Sequence, residues 1–226
     1  MNNSVTKANC LIDASYRLNT QPQKLVLVCM SKMDLQPDIP ISKEVTITAL
    51  EFSEQMGIDV KNAHRELYKA ADALLKSTIS LRDENEDVEF YWLQKVSRKL
   101  KGQGSVTLTW SDGILKYIND FKDRVTTYKL QNIANLQSSH SIRIYELLMS
   151  FNYTGERVIY LEAFKSALGI SDKYPLFKDL NKCVIKPSVE ELNKKSDLII
   201  TCESIRKGRF VVGLEFSFKR KTPLSE

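Results

Sequence analysis

An α+β fold made of two tandem copies of one unit is predicted for this 226-residue chain by three observations. First, "EVTITALEFSEQMGI" at 44–58 aligns without gaps on "ERVIYLEAFKSALGI" at 156–170. Second, the strings share a phenylalanine, a Met or Leu four residues later, and then Gly-Ile: Phe52, Met56, Gly57, Ile58 and Phe164, Leu168, Gly169, Ile170. Residues four apart share a helical face, a glycine can take the left-handed conformation that ends a helix, and the following isoleucine can pack back onto the pair. Third, the flanks match, with an amphipathic helix and a short β-rich stretch before each copy and a second helix and a hairpin after it. Helix, strand, helix, tight turn, helix and hairpin make a winged helix-turn-helix, so two such domains in tandem are predicted, at 1–133 and 134–226.

In chain order, "QKLVLVCMSKM" (23–33) is the first amphipathic helix and "VTIT" (45–48) the first short strand. Past Gly57, Asp59 is a candidate N-cap for a helix whose apolar face is Ala63, Leu67, Ala70 or Ala71, and Leu74. "STISL" (77–81) and "VEFYWLQKV" (88–96) are predicted to pair as the first wing, through an acidic turn at 83–87. Residues 106–137 give a strand, one or two helices and the connection, with no Pro/Gly-rich linker. The second copy starts with the helix "SSHSIRIYELLMSF" (138–151) and the strand "VIYL" (158–161). Ser171 is its candidate N-cap, Leu176, Phe177, Leu180 and Val184 its apolar spacing, and "DLIITCES" (197–204) with "RFVVGLEFSF" (209–218) its wing.

The reading face follows from the second copy. With Phe177, Leu180 and Val184 turned inward, Lys178, Lys182 and Lys186 form an outward stripe where a helix-turn-helix meets the major groove of double-stranded DNA. Lysines can hold phosphates or guanine acceptors, and Asp179 beside them can accept from a cytosine amino group. Lys173, just ahead of the stripe, is counted with it. Pro187 lacks an N–H and would clash with the Cys183 carbonyl, which predicts a kink or a restart of the helix there, with the groove-facing part at 172–186. Arg206, Lys207 and Arg209 at the hairpin tip form a candidate phosphate clamp. In the first copy Lys61, Arg65 and Lys69 repeat the spacing, with Glu66 and Asp72 among them, and Arg98, Lys99 and Lys101 in "RKLKGQG" are weaker candidates.

Charge and composition agree with this distribution. The net charge is +5, split as 18 basic against 17 acidic residues over 1–137 and 15 against 11 over 138–226, so the basic excess belongs to the second half. Hydrophobic residues at 42% and charged residues at 27% fit a globular chain, and no apolar run approaches the roughly 20 residues of a membrane span. The N-terminus lacks a cationic cluster followed by an apolar core, so a cytoplasmic protein is expected. Cys10, Cys29, Cys183 and Cys202 have no C-x-x-C spacing and are read as buried thiols.

Three strings carry a family resemblance: "NCLIDASYRLNTQPQKLVLVCMSKM" (9–33), "TTYKLQNIANLQSSHSIRIYELLMSF" (126–151) and "YPLFKDLNKCVIKPSVEELNKKSDLIITCESIRKGRFVVGLEFSFK" (174–219). They resemble the replication initiators of theta-replicating, iteron-containing bacterial plasmids. The resemblance implies a C-terminal winged helix that reads repeated origin sites and an N-terminal one that adds backbone contacts and a dimer interface. It also implies monomers that initiate, a homodimer in equilibrium with them that represses the promoter, host replication factors as partners, and no cofactor. By position it places Lys178, Asp179, Lys182 and Lys186 on the recognition helix and Arg143 on the first helix of the C-terminal domain, among backbone contacts. His140 stands where a tyrosine is common and Ser188 where an alanine is. Members often run longer at the C-terminus, so a short member or a truncation is expected.

Three other classes compete, and the basic excess in 138–226 argues against one of them, an interaction module with no DNA role. Rolling-circle initiators nick DNA with a tyrosine and a metal held by closely spaced histidines, but His64 and His140 cannot form such a pair and no acidic ligand cluster accompanies them. No glycine-rich phosphate loop is present, so neither a nicking nor a hydrolytic enzyme is expected and no metal is implied. A tandem winged-helix transcriptional regulator shares the same physics, and only the family resemblance separates the two.

Overall fold

Two glycine turns organise the fold. The computed structural model describes residues 4–33, 42–82, 86–99, 104–119 and 125–221. Gly57 and Gly169 have φ of 61° and 64°, the left-handed region in which glycine meets no Cβ penalty. The helix before each turn closes the same way, with the amide of Ile58 donating to the Ser53 carbonyl at 3.1 Å and that of Ile170 to the Lys165 carbonyl at 3.0 Å. Phe52, Met56, Phe164 and Leu168 are buried beneath the turns, as the repeat predicts.

The first unit opens with strand β1 (Ser4–Ala8), helix α1 (Asn9–Asp13) and helix α2 (Thr20–Lys32), which is buried from Pro22 to Met30. Strand β2 (Glu44–Thr48) leads into α3 (Ala49–Met56). A capping box starts α3, with the Glu51 amide donating to Thr48 Oγ1 and the Thr48 amide donating to the Glu51 carboxylate. Helix α4 (Val60–Leu75) begins at Asp59, whose carboxylate accepts from the Lys61 amide at 2.9 Å, so the N-cap reading holds. Ala63, Leu67, Ala70, Ala71 and Leu74 are its buried face.

The wing of this unit is not the hairpin the sequence predicted. "VEFYWLQKV" divides at Trp92, which is fully buried and edge-on to Tyr16 at 5.0 Å, into β4 (Asp87–Tyr91) and β5 (Leu93–Lys99). Strand β3 (Thr78–Arg82) pairs with β4 as a separate two-stranded ribbon and makes one further antiparallel bridge, from Ser80 to Ser15. Strand β5 instead pairs with β6 (Ser105–Trp110), and the sheet order is β2-β6-β5. The reason is burial: Val106, Leu108 and Trp110 give β6 an apolar inner face that suits the centre of the sheet, whereas β3 and β4 form an outlying ribbon. Arg98 and Lys99 at the end of β5 therefore belong to the wing, while residues 100–103 of "RKLKGQG" and 83–85 of the acidic turn lie outside the described residues.

Helix α5 (Asp112–Asn119), strand β7 (Val125–Lys129) and helix α6 (Gln131–Ala134) form the connection, with β7 antiparallel to β1. The second unit has α7 (Ser139–Met149), β8 (Glu156–Tyr160), α8 (Leu161–Ala167), α9 (Phe177–Leu180), α10 (Lys186–Lys195), β9 (Leu198–Lys207) and β10 (Phe210–Arg220), with sheet order β8-β10-β9. The two sheets thus have the same topology. One continuous hydrophobic core runs through both units and includes Leu25, Phe52 and Trp92 together with Phe164, Leu180 and Phe216.

Pro187 stands in the first turn of α10, as the restart reading predicts, but the helical run does not stop ahead of it. Residues Asn181–Ile185 form a π-helical turn that joins α9 to α10 in one helical run, with the Lys186 amide reaching back five residues to Asn181. This wide turn ends just before Pro187 and loosens the ladder at Cys183, whose carbonyl the ring would otherwise strike. It also explains a spacing of four. On a regular helix each step of four overshoots a turn by about 40°, and the wide turn takes up part of that drift, so Leu180, Val184, Ser188 and Leu192 stay on one buried face. Ser171 caps nothing, because the chain turns until Leu176, the residue that precedes α9.

Candidate nucleic-acid interface

The face opposite that buried stripe is open. Lys178, Asp179, Lys182 and Lys186 are all exposed, and Lys173 is half-buried on the turn before α9. Lys186 stands 4.0 Å from Glu190 with its side chain 72% exposed, an ion pair that contributes little in water. Cys183 lies among these lysines and is exposed, as is Cys10, whereas Cys29 is buried; none of the four cysteines forms a disulfide. The reading of all four as buried thiols therefore fails, because exposure follows the helix phase and not the nearest neighbours in sequence.

The far half of the helix is anchored. The Glu191 carboxylate accepts from the amides of Gln137 and Ser138 at 2.8 and 3.2 Å and from Lys195 at 2.9 Å, pinning α10 to the start of α7. The wing tip is a two-residue turn of Gly208 and Arg209 between the paired Lys207 and Phe210, with Gly208 at φ 61° as the first central residue of a hairpin turn requires. Arg206, Lys207 and Arg209 are exposed there, and the Arg209 guanidinium lies 5.0 Å from the Phe210 ring centre. The stripe and this tip give the second unit a cationic helix and a cationic wing.

In the first unit Lys61, Arg65 and Lys69 are exposed along α4. Arg65, however, donates to Asn62 at 2.8 Å and to Glu66 at 3.2 Å, and Arg98 on the wing forms an ion pair with Asp72. Its wing is welded to its helix. Tyr68 donates to the Lys99 carbonyl at 2.7 Å, and a Cβ at Gly104 would come within 1.8 Å of the His64 ring. Lys99 itself is exposed, while Lys101 lies outside the described residues.

Arg143 does not belong to this surface. It is 2% exposed, and its guanidinium donates to the carbonyls of Ile12 at 2.7 Å, Ala14 at 3.0 Å and Ala167 at 2.8 Å and to Glu146 at 3.0 Å. The whole stretch from Ser141 to Met149 is buried, so no side chain there can reach a backbone outside the protein. The signal was available: an Arg and a Glu three residues apart inside the apolar string "IRIYELLM" mark a buried, paired charge. Burial pulls His140 below its ordinary value, and the nearby cations Arg17 and Lys173 add to the effect. Arg17, which the sequence did not single out, is exposed beside the second glycine turn, its Cβ 2.9 Å from where a Cβ on Gly169 would stand.

Two winged helices, each with a recognition helix and a wing, and an uncompensated cationic face on the second, define a tandem winged-helix protein. Family models described as "Initiator Replication protein, WH1" and "Initiator Rep protein, WH2" match residues 4–149 and 160–218, and the chain belongs to this initiator replication protein family. It is 29% identical to a replication initiation protein of Escherichia coli over 213 residues, 91% of this chain, and spans 66% of that relative's length. An uncharacterized 27.6 kDa protein of Escherichia coli is 18% identical over 93% of both chains. Among solved structures, the crystal structure of Pi initiator protein in complex with iteron DNA superimposes with a TM-score of 0.81 over 97% of this chain and 98% of that one, at 19% identity, which establishes the shared fold.

Proposed function

We propose that this chain is a sequence-specific double-stranded DNA-binding initiator of plasmid replication, which binds repeated origin sites and acts without an enzymatic step of its own. The observation that carries the reading is the exposed Lys178, Lys182 and Lys186 stripe on a helix whose other face is locked into the core. In this reading residues 134–226 are the principal reader and 1–133 give auxiliary contacts through Lys61, Lys69 and Lys99, together with the dimer interface. Family membership supports initiation, and the relative crystallised with iteron DNA supports repeated sites as the target. Repression of its own promoter as a dimer, a monomer and dimer in equilibrium, a cytoplasmic location and recruitment of host replication factors complete the proposal. Among the described residues no helix is long and apolar enough to cross a membrane.

The test is a titration against directly repeated DNA from the replicon that encodes the chain and against a scrambled duplex, at two salt concentrations. A preference of about 10³-fold or more for the repeats is expected of a specific binder. Equal, steeply salt-dependent binding to both duplexes would reduce the stripe to a phosphate sensor and remove the initiator reading. Sedimentation across a wide concentration range tests the dimer, and a single monomeric mass with and without DNA would overturn that part.

A further inference from the structure

Where the two units meet, the continuous hydrophobic core encloses an ionic cluster. Lys7 on β1 and Glu146 on α7 are both fully buried with 3.0 Å between Nζ and Oε1. Tyr16 accepts from Lys7 at 2.7 Å and donates to Glu146 Oε2 at 3.3 Å, and Tyr128 on β7 donates to Oε1 at 3.0 Å. Arg143 completes the cluster. It holds Glu146 on one side, the Ile12 and Ala14 carbonyls of the first unit on another, and the Ala167 carbonyl at the end of α8 on a third. Two residues beyond Ala167 is Gly169, whose missing Cβ would lie 2.5 Å from the Tyr16 carbonyl oxygen. The turn that aims the second recognition helix therefore rests directly on the backbone of the first unit.

We propose that Lys7, Tyr16, Arg143 and Glu146 act as positioning residues that fix the register between the two recognition helices, and so set the spacing between the two DNA segments read within one site, although none of them touches DNA. The inference rests on the DNA-binding reading above for its consequence, but not for its geometry. Close apolar packing already resists displacement. The ionic cluster adds direction to that resistance, because a small displacement leaves a buried charge unpaired, and buried charges are tolerated only when paired and hydrogen-bonded. Burial already brings the Lys7 ammonium down to about 8, while Lys7 and Arg143 together overcome the burial of Glu146 and keep its carboxyl low. Along DNA one added base pair moves a segment by about 3.4 Å and turns it by about 35°, more than a rigid pair of readers can follow.

The test compares the full chain with Tyr16→Phe, which removes one hydroxyl, and with the double variant Lys7→Met, Glu146→Gln, which removes both charges at similar volume. The first readout is affinity for one repeat with one or two base pairs added or removed between the segments that the two units protect, beside a duplex carrying only the second unit's segment. The second is the distance distribution between spin labels on non-natural residues at Gln94 and Thr201, exposed positions on the two wings, measured without DNA. The wild-type chain should lose about tenfold in affinity per base pair of altered spacing and give one narrow distance. Folded variants should flatten that dependence to within about threefold and broaden the distance, with unchanged affinity for the single segment. A narrow distance or an undiminished spacing dependence in either folded variant overturns the proposal. Wild-type protein that binds no spacing specifically would strike the DNA reading, and the distance measurement would still decide the register.

Discussion

The two winged helices share one topology and differ in how their charges are used. In the first unit two cations are taken up within the protein: Arg65 serves Asn62 and Glu66 on its own helix, Arg98 on the wing serves Asp72 on that helix, and Tyr68 ties the helix to the wing backbone. In the second, Asp179 is exposed on the reading face and Glu190 pairs there only loosely with Lys186, at 4.0 Å. Glu191 is occupied in anchoring α10, and Lys178, Lys182 and the wing tip are left for a partner. The same fold therefore yields a braced unit and a presenting unit. Surface ion pairs within a protein stabilise it little, but they do withdraw cations from any anionic ligand.

The glycine turns give the largest contrast. Gly57 and Gly169 have nearly equal φ, but a Cβ on Gly57 meets nothing nearer than 3.8 Å, whereas on Gly169 it strikes the Tyr16 backbone. Gly57→Ala should cost only the left-handed strain, about 1–2 kcal/mol in denaturant unfolding. Gly169→Ala should cost that plus an overpacking penalty of about 1–3 kcal/mol. Equal losses would mean that the units do not press on each other at this turn.

Next come the lysines. Lys178→Ala and Lys182→Ala should each cost about 1–3 kcal/mol of specific affinity if the side chain reads a base, or lower the salt slope by about one if it holds a phosphate. Lys61→Ala and Lys69→Ala should do less. Reversal of that order in binding titrations would exchange the roles of the two units. A smaller effect of opposite sign is expected for Asp72→Ala, which releases Arg98: tighter, more salt-dependent binding without a change in sequence preference. Unchanged salt dependence would show that the first wing does not approach DNA.

The smallest effect concerns His140. Its folded value is lowered, so the unfolded chain binds the extra proton more readily and stability falls as the pH drops below 6.5 toward the folded value. His140→Gln should remove that part of the decline, seen as a flatter melting temperature against pH, at about 2–4 °C per kcal/mol for a chain of this size. An unaltered profile would assign the decline to other groups.

Much of the fold was legible because it rests on local physics. The gap-free repeat, the positive-φ glycines, the Asp59 cap and the inward set of Leu180 and Val184 each follow from residues within a few turns of one another. The first wing was misread because strand pairing is a competition between partners. "STISL" and "VEFYWLQKV" do pair in part, but β5 is captured by β6, whose apolar inner face only the assembled core can reward. Arg143 is placed among DNA contacts only by position within the family resemblance, and its burial depends on partners far away in the chain. Pro187 predicts a kink or a restart, and α10 does begin beside it; what the local rule does not supply is the π-helical turn that keeps the run continuous.

By itself the sequence determined the two units, their order, the turns and the lysine face, because helix phase and backbone chirality act over a few residues. Only the tertiary structure decided which strand completes the first wing, which cations stay unpaired, and that Arg143, Glu146, Lys7 and Tyr16 meet across more than a hundred residues of chain. Those outcomes depend on long-range burial and charge pairing, in which each group is placed by what all the others leave available.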